Sequence, residues 1–269
     1  MSITFSSCFY IIKSKFSPNT YIEWMSHFLS IVNHFNLVIY TDEASSKYIP
    51  VTTNPRIKII IKPLENFYNY KYKDYWIANH EKNILLKDAV NWEVNMLWSE
   101  KTSFVEETFS NKYFNTEFYG WCDIGYFRNR EKDTHTDHLG NWANEDRVAT
   151  LDKKKIYYAC INNDDKIMEL LSKIVNNKNK MGLPVQPIPD FQNSVAGGFF
   201  IIHKNKVEWW KNEYDDKLRT YFKNGYLVKD DQIILIDYIL TKGNEKKFCL
   251  LKENDEKYDN WFLFQRFLS

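Results

Sequence analysis

Short runs of β-branched and aromatic residues alternate along this chain with longer segments whose apolar residues recur at helical spacing, and that alternation admits few folds. Residues 3–12, residues 37–41 and Ile57–Ile61 read as strands. Between the first two lies a helix on which Tyr21, Trp24, Met25, Phe28, Val32 and Phe35 share one face. Thr20 and Glu23 have the spacing of a capping box at its start. A β-α-β-β opening of this kind predicts an α/β protein built on a central mixed, mostly parallel sheet flanked by helices.

The rest of the chain continues the pattern. Residues 76–109 are helical in spacing, and a second capping box, Ser103 with Glu106, predicts a break near Glu100 and Lys101 that lets Lys101 reach inward. A strand over 118–122 is followed by a polar stretch, 129–155, too long for an unstructured loop unless it is functional or partly helical. Residues 156–161 read as a strand. Asp164 and Asp165 then open a helix carrying Ile167, Met168, Leu171, Ile174 and Val175. An extended loop with three prolines, 182–189, leads into the apolar run 199–202. Val207, Trp210, Tyr214, Leu218, Tyr221 and Phe222 mark another amphipathic helix, and residues 229–232 open an apolar one over 233–240. No repeat or low-complexity linker interrupts the 269 residues, so residues 1–269 are read as one domain.

Charge and cysteine usage narrow the function classes. With 36 Lys and Arg against 35 Asp and Glu, the overall balance points to neither nucleic acid nor an anionic membrane, and any phosphate recognition must be local. Aromatic residues make up 17% of the chain, and Tyr and Trp faces suit sugars and bases as well as cores. Cys8, Cys122, Cys160 and Cys249 lie far apart and read as reduced thiols. The amino-terminal residues carry no basic leader, and no apolar stretch reaches membrane-spanning length, so the expectation is a cytoplasmic protein without a membrane span.

Three places carry chemistry. At the end of the 118–122 run, Asp123 can hold a divalent cation, Gly125 allows close backbone approach and Arg128 offers a planar fork for phosphate or carboxylate; the alternative is a structural ion pair. Asn193, Gly197 and Gly198 enter the next strand, where paired glycines bring backbone against something bulky or mark a bulge. Asp230, Asp231 and Gln232 open the last helix, either as ordinary caps or as acids facing a ligand. His135, Asp137 and His138 form too sparse a set for zinc, and His203 is a weak candidate ligand.

Taken in order, Trp121, Asp123, Gly125 and Arg128, then residues 195–200, then Asp230, Asp231, Gln232 and Leu235 resemble the bacterial HtrL/YibB and WlaTC-type proteins, placed among GT-A-fold glycosyltransferases. Tyr75, Trp76 and Asn79, with residues 97–105, fit the same pattern, and the motif order is similar, more distantly, to glycogenin-like transferases. The resemblance implies a GT-A-like fold and a hexosyltransferase-type enzyme. It would move sugar from a UDP- or GDP-linked donor to a glycan or glycoprotein acceptor, assisted by Mn²⁺ or Mg²⁺ on Asp123. Asp230, Asp231 and Gln232 would be catalytic. Tyr10, Lys13, Asp42, Lys101, Trp121, Asp123, Gly125, Arg128, Asn193, Gly197 and Gly198 would line the donor site. The second acid of the family's D-x-D signature is here Gly125, which weakens the metal assignment. A carbohydrate-binding module without turnover is the alternative. A nucleotidyltransferase would want a glycine-rich phosphate loop, which residues 6–10 do not form.

Overall fold

Seven strands, β1 (Ile3–Phe9), β2 (Asn36–Thr41), β3 (Ile57–Ile61), β4 (Phe118–Cys122), β5 (Ile156–Ala159), β6 (Phe199–His203) and β7 (Phe248–Leu251), form one sheet in the order β3-β2-β1-β4-β6-β5-β7. The structure is a computed structural model and describes residues 3–269. All strands run in one direction except β6, which lies antiparallel to both β4 and β5. The expected α/β architecture with a mixed, mostly parallel sheet is therefore present. The central strands are buried on both faces, as the near-continuous apolar runs required.

Nine α-helices cover the sheet among the described residues: α1 (Pro18–Ser30), α2 (Glu43–Ser46), α3 (Lys73–Lys82), α4 (Trp92–Ser110), α5 (Glu145–Ala149), α6 (Asp165–Asn176), α7 (Val207–Lys223), α8 (Asp231–Ile239) and α9 (Leu263–Phe267). Val38, Tyr40, Trp121, Tyr158 and Phe200 pack on one face with Phe104 of α4, Trp210 and Tyr214 of α7 and Ile234 of α8. Phe5, Leu37, Cys122, Phe199 and Ile201 pack on the other with Met25 and Phe28 of α1, Val148 of α5 and Phe264 of α9. Neighbouring residues such as Phe199 and Phe200 thus serve opposite layers, the period of two that a strand imposes.

Several local expectations are corrected. Helix α1 begins at Pro18 and is capped by Ser17, whose hydroxyl accepts from Thr20 N at 3.2 Å, so the Thr20 and Glu23 pair lies inside the first turns. Helix α4 runs unbroken through Glu100, Lys101 and Ser103. Its polar residues are tolerated there because they are partnered: the Glu100 carboxylate accepts from Tyr68 N (2.6 Å), Asn69 N (2.9 Å) and Asn69 Nδ2 (2.8 Å). The polar stretch after β4 contains α5 and the fully buried Trp142, so it is core as well as surface. Strand β7 and helix α9 are too short, at four and five residues, for a period to register, yet they close the sheet edge and the α1 face.

No helix among the described residues is long and apolar enough to cross a membrane.

Candidate functional site

The reversal of β6 builds the site. Because β6 is antiparallel to β4, its first residue, Phe199, pairs with the last residue of β4, Cys122. Gly197 and Gly198 therefore sit beside Asp123, whose backbone N–H donates to Gly198 O at 2.9 Å. This is the carboxyl end of the parallel strands β1 and β4, where α/β sheets collect ligands. The first turn of α8 enters at the same place with Asp231 and Gln232, and α4 crosses behind with Lys101.

Lys101 ties these pieces together. Its buried ammonium donates to Gly197 O at 2.8 Å and lies 3.0 Å from Asp231 Oδ2 and 3.3 Å from Asp123 Oδ1. Burial pulls its pKa down, but the two carboxylates outweigh that and hold it above the usual lysine range. Asp231 responds to burial in the opposite sense: its carboxyl is pushed up to about 6, with Lys101 opposing the rise. Asp123 is more open, with 42% of its side chain exposed, and it is oriented by Trp121, whose indole N–H donates to Oδ1 at 2.5 Å.

The paired glycines make room for the acids themselves. A Cβ on Gly197 would lie 2.5 Å from Asp231 Oδ2, and one on Gly198 would lie 2.9 Å from Asp123 Oδ2. Gly125 serves packing, since a Cβ there would meet Trp24 at 2.7 Å. The bulky neighbours expected at these positions are thus side chains of the protein.

Asp230 caps α8, accepting from Gln232 N at 3.2 Å, and is paired with the buried Lys229 at 3.0 Å. The backbone leading to it is held by three buried asparagines. Asn79 accepts from Val228 N at 2.9 Å and donates to Val228 O at 2.8 Å, Asn83 donates to Lys229 O at 2.8 Å, and Asn95 donates to both carbonyls at 3.0 Å. Capping and a ligand-facing role are therefore not exclusive at Asp230. Gln232 is 6% exposed, lines the cleft, and its Oε1 is buried without a hydrogen-bond partner in the described structure.

Two adjoining cavities open here. The larger, about 380 Å³, is lined by Lys101, Asp123, Arg128, Gly197, Gly198, Asp230, Asp231 and Gln232, with Lys15, Trp98, Arg130 and Trp261 on its walls. The smaller, about 110 Å³, lies over the end of β1 and is mostly aromatic and aliphatic, with Tyr10, Leu97, Trp98 and Trp121 among its residues. Tyr21, Trp98, Asp123, Gly125 and Arg128 belong to both.

Three expected donor-site residues fall outside these cavities. Lys13 is exposed, and only its carbonyl is engaged, by Asn91 N at 3.0 Å. Asp42 caps α2 through Ser45 N at 2.6 Å. Asn193 is exposed on the loop before the glycines. His203 sits at the opposite end of β6, paired with Phe118 and facing Glu117, and His135 and His138 are exposed on a turn. The residues that pattern missed are Lys15, Trp98, Arg130 and Trp261. Lys15 differs from Lys13 by two positions in a polar turn, and no periodicity there distinguishes them.

The two carboxylates at the floor of the site share a cation of the protein itself. Among the described residues no group of three His, Cys, Asp or Glu side chains is arranged to hold one. An ion shared by Asp123 and Asp231 would stand against the Lys101 ammonium that already joins them. No protein-family model matches the chain, and no curated protein matches it.

Proposed function

We propose that the protein is a glycosyltransferase that takes a sugar from a UDP- or GDP-linked donor and passes it to a hydroxyl of a glycan or glycoprotein acceptor, on a GT-A-like scaffold. The observation that carries the reading is Gln232: a buried, unpartnered amide oxygen beside two carboxylates, in a cleft continuous with an aromatic cavity. A buried acceptor without a donor costs about 1–3 kcal/mol, and a sugar hydroxyl would satisfy it. In this reading the base stacks in the cavity over β1, and the sugar lies in the larger one against Gln232 and Asp231.

The reaction breaks the bond between the anomeric carbon and the diphosphate oxygen and forms one to the acceptor oxygen. The acceptor's proton passes to Asp231, whose raised pKa suits a general base near neutral pH. Lys101, fixed by three oxygens, counters charge at the floor of the site. The unpaired cysteines support a reducing, cytoplasmic setting.

The test is donor hydrolysis and transfer with UDP-, GDP- and TDP-sugars, comparing the natural chain with Asp231→Asn. Loss of turnover with an unchanged melting temperature supports the assignment, whereas undiminished transfer by Asp231→Asn overturns Asp231 as the base. A second reading, a sugar-binding module, is favoured by the engagement of both acids with the one Lys101 ammonium. Sugar-dependent thermal shifts without hydrolysis of any donor would select it.

A further inference from the structure

The charges around the cleft do not all cancel in place. Lys101 is shared by Asp123 and Asp231, Lys229 is paired with Asp230, and Arg130 is paired with Asp133 at 2.8 Å and Asp259 at 2.9 Å. Two cations remain. Among the described residues neither Lys15 nor Arg128 has a carboxylate within 4.0 Å, although both line the larger cavity.

Arg128 is the more constrained of the two. Its Nε donates to Gly125 O at 2.9 Å, and its guanidinium lies 4.1 Å from the ring centre of Trp24, 5.0 Å from Phe262 and 5.3 Å from Phe16. These contacts fix the plane of the group while leaving its terminal nitrogens without a protein acceptor among the described residues. Such a fork suits a phosphate. Arg128 also borders the aromatic cavity, so it stands where the two spaces meet. Lys15 lies over Trp98, 4.8 Å from the ring centre, and Trp98 likewise borders both cavities. Desolvation lowers the pKa of the partly buried Arg128, so an incoming anion would relieve a cost already present there.

We propose that Lys15 and Arg128 form a clamp for the diphosphate at the junction of the two cavities, so that the cleft holds this dianionic group with its own side chains instead of a bound divalent ion. The proposal rests on the nucleotide-sugar reading above for the identity of the ligand. It goes beyond that reading by assigning Lys15 and by removing the metal. Lys15 and Arg128 are the cavity's cations that no carboxylate contacts among the described residues, so they are the ones free to face the two charges of a bridging diphosphate, and the carboxylate pair that would hold an ion is already engaged by Lys101.

Calorimetric titration of the full chain with inorganic pyrophosphate, UDP and GDP, first in EDTA and then with Mn²⁺, tests this. Pyrophosphate and both nucleotides are expected to bind in EDTA, more weakly as NaCl rises, and Mn²⁺ should change the affinity by less than about twofold. Lys15→Ala and Arg128→Gln should each weaken binding about tenfold or more, while Lys15→Arg retains it. Lys15 is exposed, and among the described residues its ammonium lies over Trp98 without a hydrogen bond or ion pair, so its alanine variant keeps the fold and the test independent of Arg128. Binding that appears only with Mn²⁺ and is lost in Asp123→Asn overturns the clamp and leaves the transferase reading standing. Absence of pyrophosphate binding under both conditions also overturns it. Metal-free pyrophosphate binding without cleavage of any nucleotide sugar upholds the clamp and overturns the transferase reading.

Discussion

Gly197 and Asp231 are in contact: a Cβ on the glycine would stand 2.5 Å from Asp231 Oδ2 and 2.7 Å from Oδ1. The carboxylate is thus seated against backbone, with Lys101 holding it from the other side. Gly197→Ala must displace either the strand entry or Asp231. Turnover is expected to fall about a hundredfold, since misplacement of about 1 Å costs that much. Gly198→Ala, whose Cβ would meet the more exposed Asp123 at 2.9 Å, should cost less. Steady-state rates with circular dichroism of both variants check the order; equal losses would contradict it.

Removal of Lys101 leaves Asp231 buried opposite Asp123 with no counter-charge. Side chains of Lys101 and Asp231 are 7% and 8% exposed. Lys101→Met should therefore destabilise the fold by about 3–5 kcal/mol, and the double change Lys101→Met with Asp231→Leu should recover part of that. Urea denaturation measures both. A double variant no more stable than the single one would show that the pair is not the source of the loss.

The pH profile follows from Asp231. Its folded-state carboxyl is held at about 6, above the ordinary 3.8, because burial disfavours the charge. Protonation consequently favours the folded state: this contribution to stability is full below pH 3.8 and is lost as pH rises through about 6. Activity runs the other way, since the base must be ionised, so kcat/KM should rise through about pH 6. Loss of that acid limb in the residual activity of Asp231→Asn would identify the group; persistence of the limb would assign it elsewhere.

Asn79 pairs with both the N–H and the carbonyl of Val228. Asn79→Ala should cost about 1–3 kcal/mol, because the Val228 N–H is left without a partner while the carbonyl keeps its bond from Asn95. The loss should reach the site, because Val228 leads directly into Asp230. Hydrogen exchange at residues 228–232 should accelerate in the variant while exchange in β1 and β4 stays slow; uniform acceleration would indicate global destabilisation instead.

The face pattern of the strands was legible in sequence because a period of two and a period near 3.6 are properties of neighbouring residues. That sufficed for the parallel half of the sheet and for α7, and it put Asp123, Gly197, Gly198, Asp231 and Gln232 at strand and helix ends, which the structure brings to one cleft. Boundaries were less legible. Ser103 and Glu106 have capping spacing, yet α4 continues through them because Glu100 finds its partners in a segment some thirty residues earlier.

The sequence alone determined which residues alternate between two buried layers and which acids and glycines lie at strand and helix ends, since these follow from local spacing. Only the tertiary structure decided what those residues meet. The reversed direction of β6 places Gly197 beside Asp123, the crossing of α4 carries Lys101 to a carboxylate pair 22 and 130 positions downstream, and the turn after β1 selects Lys15 over Lys13. Such pairings depend on strand direction and helix crossing, which bring together residues whose separation in sequence carries no trace of their distance in space.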